Sequence, residues 1–225
     1  MFYGAAEFSR DTDLTLLASD DNLALLRAAL HELRARRIAV PPFEQRFLLR
    51  GHAIHFRCYH PDALNMRIDI MAIMRGVDPF DLLWERRTHL IGDDGQHYEL
   101  ISLKDLIRSK KTQRDKDWPM IRRLVEADYV ARETPSDTEV QFWLQESRTP
   151  SMLISLAQSR PEQTDALIPV RSLLTSARNS DEGGIEAGLQ LEEQQERAAD
   201  RAYWEPLKRE LEALRHGGDT PEQEV

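Results

Sequence analysis

The sequence has little cysteine and no long apolar segment. Its 225 residues include one cysteine, Cys58, so neither an internal disulfide nor a thiolate zinc site is expected. No stretch approaches the roughly 18 to 20 apolar residues that a membrane span needs, and the N-terminus lacks the basic and apolar segments of a secretory signal. These absences predict a soluble, cytoplasmic protein that has no membrane partner and in which Cys58 is a buried small hydrophobic residue.

The net charge of −9 is concentrated near the C-terminus. Residues 181–225 contain 13 acidic and 5 basic side chains, which leaves 26 acidic and 25 basic side chains in residues 1–180. Within this nearly neutral part, residues 101–123 carry eight cations, Lys110 and Arg114 among them, against three aspartates. This basic segment could face phosphates, although a solvated helix surface is the favoured interpretation when the segment is considered alone.

Hydrophobic periodicity and turn residues predict an α+β chain. A helix should follow the Ser19 cap and run to about Arg36. Strands are expected near residues 12–18, 47–49, 53–59, 67–74 and 98–101, with 47–49, 53–59 and 67–74 as adjacent antiparallel strands. After residue 102 helices should dominate, including 137–146, 150–159, one from Pro161 into the 170s and one around 204–214, with a loose connection at 180–188.

Two short stretches place aspartate inside strand-like runs. In the first, Asp11, Asp13 and Thr15 alternate with Thr12, Leu14 and Leu16; in the second, Asp69 stands between two isoleucines. Desolvating an unpaired carboxylate costs several kcal/mol or more, so an aspartate in such a run needs a countercharge, which arginine or a divalent metal can supply. The two stretches therefore predict most of a metal site, with Asp69 as its firmest member.

Structural roles remain alternatives for several of these residues. Asp11 and Asp13 could be loop carboxylates paired with Arg10 or Arg57. The histidines near the second strand follow no helix face, so strand or turn roles are favoured over a metal site for His52, His55 and His60.

These motifs resemble the minimal nucleotidyltransferase superfamily, and within it the abortive-infection toxin-like branch. Arg10, Thr12 and Asp13 match the arginine, hydroxyl and aspartate of the family's first strand, with Thr15 where the family has a second aspartate. Asp69 resembles the third carboxylate, which lies on a later strand. A helix motif of the toxin-like branch is similar to Leu103, Asp105, Leu106, Lys110, Arg114, Lys116 and Asp117.

The resemblance implies a small mixed sheet with flanking helices and a metal-dependent transfer of a nucleotidyl group from a nucleoside triphosphate to an acceptor. It implies catalytic roles for Asp13, Asp69 and Lys110, and Mg²⁺ or Mn²⁺ ligation by Asp13, Asp69 and, as a third ligand, Asp11. Contacts with the nucleotide are implied for Gly4, Ser9, Arg10, Thr12, Lys110 and Arg114. The acceptor would be RNA such as a tRNA end, a small molecule or a protein hydroxyl, and a neutralising protein partner is a further expectation.

The domain organisation expected from this resemblance has three parts. Residues 1–133 would form the nucleotidyltransferase-like domain, 134–216 a helical C-terminal region and 217–225 a disordered tail. The family carries a Gly-Gly or Gly-Ser pair before its arginine motif, whereas this sequence starts at Met1, so we expect the first strand and helix to be missing from it. Either the true start lies upstream of Met1, or this is a shortened version that lacks part of the pocket. Two alternatives remain, a non-catalytic scaffold that retained the fold and a module that binds proteins through its C-terminal helices.

Overall fold

The protein, described here by a computed structural model, forms an α+β structure, which confirms the predicted fold class. The described residues are Tyr3, 11–93 and 95–217. The predictions for Gly4, Ser9, Arg10 and the tail from residue 218 onward lie outside them. Apart from Tyr3, these residues form two compact units, one comprising 11–109 with 202–217 and the other 110–201. The predicted domain boundary after residue 133 stays a prediction.

A four-stranded sheet organises the first unit. Its strands are β1 (Asp11–Thr15), β2 (Arg36–Arg37), β3 (Ile54–Arg57) and β4 (Arg67–Met71), in the order β1-β4-β3-β2. Strand β1 is parallel to β4, whereas β3 is antiparallel to both β4 and β2. This confirms that the segments predicted at 53–59 and 67–74 are antiparallel neighbours. A separate antiparallel pair is formed by β5 (Thr88–Ile91), which was not predicted, and β6 (His97–Leu100).

Short helices accompany the sheet. They are α1 (Asp20–Glu32), α2 (Gln45–Arg50), α3 (Phe80–Glu85) and α4 (Leu103–Ser109), with a 3₁₀ turn at Pro61–Ala63. Ser19 caps α1 as predicted, because its side chain accepts a hydrogen bond from the backbone N–H of Asn22. The helix ends before the predicted Arg36, because Arg34 adopts a φ of 51° and the chain turns into β2.

The strand predicted at residues 47–49 is wrong, since this segment lies in α2. Gly51 ends that helix in the left-handed conformation, with a φ of 98°, and its N–H bonds to the carbonyl of Leu48. Phe47 and Leu48 are buried. A run of three apolar residues is too short for its periodicity to distinguish a buried strand from a buried helix turn.

One face of the sheet forms the core of the first unit. Alternation along the strands directs Ile54 and Phe56 of β3, and Ile68 and Ile70 of β4, to this face, where each is at most 4% exposed. The core cluster also contains Leu23 and Leu30 of α1, and Cys58, which is fully buried as predicted. The opposite face is consequently left to the polar residues of the same strands.

The second unit is helical. It contains α5 (Asp117–Val130), α6 (Asp137–Glu146), α7 (Pro150–Ser159), α8 (Pro161–Leu167) and α9 (Leu174–Arg178), and the first part of α10 (Glu182–His216). The bounds of α6 and α7 agree with the prediction. Ser136 and Glu139 form a reciprocal capping box before α6, and proline occupies the first position of α7. The helical structure predicted from Pro161 into the 170s is present as two helices, α8 and α9.

The loose connection predicted at residues 180–188 is wrong, because α10 begins at Glu182. The glycines of this segment permit close packing. A Cβ on Gly188 would lie 2.6 Å from the Cβ of Leu173, whereas one on Gly183 would meet only ordinary contact at 3.8 Å. Among the residues that the structure describes, none of the helices is long and apolar enough to cross a membrane.

The last part of α10 packs within the sheet-containing unit. Its Glu210 accepts a hydrogen bond from Nε2 of His52 at 2.7 Å and also pairs with Arg50. The His52 side chain is 1% exposed, so this contact is inside the unit. Gly51 lies against the ring of Tyr203, which leaves no space for a Cβ. The histidine is therefore structural, in agreement with the favoured interpretation.

Candidate functional site

The polar face of the four-stranded sheet brings the two predicted aspartate stretches together. In the register of the parallel pair, Asp13 of β1 stands beside Asp69 of β4, and His55 of β3 stands on the other side of Asp69. Direct cross-strand neighbours share a face, with Cβ atoms about 4.5 to 5.5 Å apart. The row Asp13, Asp69 and His55 is therefore continuous across three strands.

Asp69 receives its countercharge from its own strand. Nε and Nη2 of Arg67 donate to the two carboxylate oxygens of Asp69 at 2.8 and 2.9 Å, and Nδ1 of His55 donates to Oδ1 at 2.8 Å. Burial alone would raise the pKa of Asp69, but these hydrogen bonds and the charges behind them lower it. Arginine, one of the two countercharges that the sequence allowed, binds Asp69, and the lowered pKa keeps this carboxylate ionised near neutral pH.

The first aspartate stretch lies on the edge strand. Asp11 stands opposite Arg67, and both Asp11 and Asp13 are exposed. Both carboxylates contribute to raising the pKa of Arg67, after the larger effect of its hydrogen bond to Asp69. Thr12 pairs with Ile68, which places it on the opposite face from Asp13. A direct contact of Thr12 with a ligand on the polar face is not favoured by this register.

Asp13 and Asp69 are the two carboxylates that stand side by side in the register of β1 and β4. Within the described part of the chain, no group of three or more His, Cys, Asp or Glu side chains is placed to hold a metal ion. Mg²⁺ is commonly held by one or two carboxylates together with water and substrate phosphate oxygens, so Asp13 and Asp69 suit this ion when phosphate completes its coordination. Oδ2 of Asp69 accepts one hydrogen bond, from Nη2 of Arg67, so this oxygen keeps a lone pair with which it could bind a cation.

Two aspartates of the helix motif, Asp105 and Asp117, form ion pairs with arginines. Asp105 is fully buried and accepts bonds from Nε and Nη2 of Arg86 at 2.6 and 2.7 Å. Asp117 begins α5, as the resemblance implied, and accepts from Nε of Arg114 at 2.9 Å. Lys110 and Arg114 both belong to the helical unit, whereas Asp13 and Asp69 belong to the sheet-containing unit.

Sequence reasoning missed the basic members of the polar face. Arg67 and His55 bind Asp69 directly, yet neither was assigned to the site. The alternation of apolar and polar residues in β3 could have indicated this face, because His55 and Arg57 alternate with the buried Ile54 and Phe56. The partner strand of each residue could not be read from that alternation.

Comparison of the whole chain with known proteins found no matching family model, no matching curated protein and no matching solved structure.

Proposed function

We propose that the sheet-containing unit is a nucleotidyltransferase-like domain that binds a nucleoside triphosphate on the polar face of its sheet. The observation that carries this proposal is the register of β1 and β4, which sets Asp13 beside Asp69 on one face. Carboxylates on neighbouring strands are the oxygen ligands that a divalent cation bridging to phosphate requires. The motif order in the sequence, which resembles the superfamily, supports the same assignment.

In this proposal Asp13 and Asp69 bind Mg²⁺ or Mn²⁺, and Asp11 lies two residues away as a further carboxylate. The bound metal would activate the attacking hydroxyl and balance charge on the leaving pyrophosphate. Arg67 would keep Asp69 ionised and oriented through its two hydrogen bonds before a metal binds. The resemblance suggests RNA as the acceptor and a neutralising protein as a partner, and both belong to the proposal.

One observation favours a second candidate, a scaffold that retained the fold but lost transfer. Both carboxylate oxygens of Asp69 are engaged by Arg67, and Thr15 stands where the family has its second aspartate. A hydroxyl is a weaker ligand for a hard cation than a carboxylate. The scaffold would bind proteins or nucleotide without releasing pyrophosphate.

A labelling experiment separates the two candidates. The purified chain is incubated with Mg²⁺, total RNA as the acceptor and each of the four nucleoside triphosphates, labelled at the α-phosphate in one reaction and at the γ-phosphate in a parallel one. Transfer predicts that label from the α-phosphate appears on the acceptor while label from the γ-phosphate leaves with pyrophosphate. Calorimetry with the same triphosphates measures binding independently of transfer.

The variant Asp13→Asn should abolish transfer, because it removes an exposed carboxylate without breaking the Asp69 ion pair. Asp93→Asn is the matched control, since it makes the same change at an exposed position of the turn between β5 and β6. Triphosphate binding without transfer by the wild type would favour the scaffold. Absence of both binding and transfer would remove the nucleotidyltransferase proposal.

A further inference from the structure

Three arginines lie side by side across the polar face of the sheet. Arg36 of β2 pairs with Arg57 of β3, and Arg57 pairs with Arg67 of β4. We call these three residues the arginine row. Asp11 of β1 continues the row beyond Arg67. The arrangement follows from the register of four strands and is not visible in the linear sequence, where the three arginines are separated by 21 and 10 positions.

Like charges directly opposite one another on neighbouring strands are destabilising, so a row of arginines needs compensation. Arg67 has it, because Asp69 accepts two of its hydrogen bonds and Asp11 stands beside it. The guanidinium of Arg36 lies 5.3 Å from the centre of the Tyr59 ring, which is a cation–π contact. Both outer members of the row thus contact groups that favour a cation.

Arg57, in the middle of the row, lacks this compensation. It is exposed, and within the described residues its guanidinium makes neither a hydrogen bond nor an ion pair. Its neighbours on both sides are arginines. An exposed guanidinium beside two others is a geometry that an anion with several oxygens stabilises, since each guanidinium can donate two parallel hydrogen bonds.

Space for such an anion exists beside the row. Arg57 and Arg67 line an open depression together with Asp11, Asn65 and Asp62. The Asp62 carboxylate is 91% exposed and lies 3.7 Å from Nδ1 of His60. On the strands themselves, the carboxylates Asp11, Asp13 and Asp69 belong to β1 and β4, whereas the exposed guanidinium of Arg57 belongs to β3. Opposite charges at two ends of one face complement a metal ion at one end and phosphate at the other.

We propose that the arginine row, centred on Arg57, binds a phosphate group of the ligand. Phosphate recognition by Arg57 does not require catalysis, but the assignment of that phosphate to a nucleotide rests on the proposed function. The two sources with this chemistry are the triphosphate of a nucleotide and the backbone of a single-stranded nucleic acid. This assignment gives the phosphate-binding role to Arg57, in place of the Lys110 and Arg114 suggested by the resemblance.

The experiment uses the full chain and three probes, namely inorganic tripolyphosphate, ATP with Mg²⁺ and a ten-nucleotide oligouridylate without terminal phosphates. Calorimetry measures each affinity for the wild type, Arg57→Gln and the charge-matched control Arg209→Gln, whose arginine is 74% exposed on α10 of the same unit. Hydrogen bonds to charged groups predict a loss of about ten- to a hundredfold for Arg57→Gln. Arg209→Gln should bind like the wild type, and Arg57→Lys should regain part of the affinity.

The pattern across probes identifies the source of the phosphate. Arg57 dependence of tripolyphosphate and ATP binding supports a nucleotide, whereas dependence confined to the oligouridylate, with a smaller salt dependence in the variant, supports a nucleic-acid backbone. Equal losses in Arg57→Gln and Arg209→Gln, or no binding of any probe by the wild type, would overturn the proposal. Because Arg57 is exposed, its replacement should leave the melting temperature unchanged or higher, and unfolding can be excluded by circular dichroism.

The outcomes also separate this proposal from the proposed function. Arg57-dependent phosphate binding without label transfer would support the arginine row and contradict the nucleotidyltransferase activity. Label transfer that disappears in Asp13→Asn, with probe affinities unchanged in Arg57→Gln, would support the activity and contradict the arginine row.

Discussion

Replacing Asp69 with asparagine tests whether its ion pair stabilises the sheet. The change keeps the shape of the side chain but removes the charge that receives two hydrogen bonds from Arg67 and one from His55. Hydrogen bonds to charged groups contribute about 1.5 to 3 kcal/mol each. Asparagine still accepts at one oxygen, and the Arg67 side chain is 37% exposed and can be rehydrated. We therefore expect a loss of about 1 to 2 kcal/mol in the free energy of unfolding.

Replacing the other partner of the ion pair, Arg67, should lower the free energy of unfolding by more. Arg67→Met leaves the Asp69 carboxylate, whose side chain is 12% exposed, without its guanidinium. Breaking a fully buried pair costs about 3 to 5 kcal/mol, so a partly buried one should cost about 2 to 4 kcal/mol. Asp13→Asn, on the exposed edge strand, should change the free energy of unfolding by less than about 0.5 kcal/mol and is the control.

Urea unfolding followed by circular dichroism measures these differences, and amide hydrogen exchange in β1 and β4 localises them to the sheet. The pH dependence supplies a second criterion. The pKa of Asp69 is lower in the folded state than the unfolded value of about 3.9, so its stabilising contribution is present above that pH and is lost as the pH falls through the folded pKa. Asp69→Asn should therefore approach the wild type in acid. Equal or higher stability of Asp69→Asn at pH 7 would refute the ion pair as a stabilising contact.

Two further predictions concern packing outside the polar face. Gly188→Ala should destabilise the protein by about 1 to 2 kcal/mol in thermal or urea unfolding, because the clash with Leu173 costs more than the gain in helix propensity. Gly183→Ala in the same helix is the control and should be neutral or stabilising. Equal effects of the two changes would contradict the close approach of Gly188 to Leu173. Asp105→Asn should lower the free energy of unfolding by about 1 to 2 kcal/mol, because Arg86 loses the charge of a fully buried partner but is 36% exposed and keeps its contact with Asp78. An unchanged urea midpoint would contradict this.

Local signals in the sequence predicted much of the helical unit. Ser136 with Glu139, and Pro150 at a first helical position, mark helix starts whose chemistry depends on residues within four positions of one another, so α6 and α7 have the expected bounds. The same kind of signal failed at Gly183 and Gly188, which read as a break but lie inside α10. Whether a glycine ends a helix or lets it pack closely depends on a neighbour such as Leu173, which is distant in the chain.

Some features of the candidate site likewise depend on residues within one strand, and others depend on contacts between strands. The sequence by itself determined that Asp69 stands in a buried strand, that Asp11 and Asp13 share a face of theirs, and that such carboxylates need countercharge, because side-chain alternation and desolvation act within a single strand. Only the tertiary structure decided that Asp13 stands beside Asp69, that Arg67 and His55 supply the charge, and that Arg36, Arg57 and Arg67 form one row. Strand register is set by packing of the buried face, and that packing joins segments that are far apart in the chain.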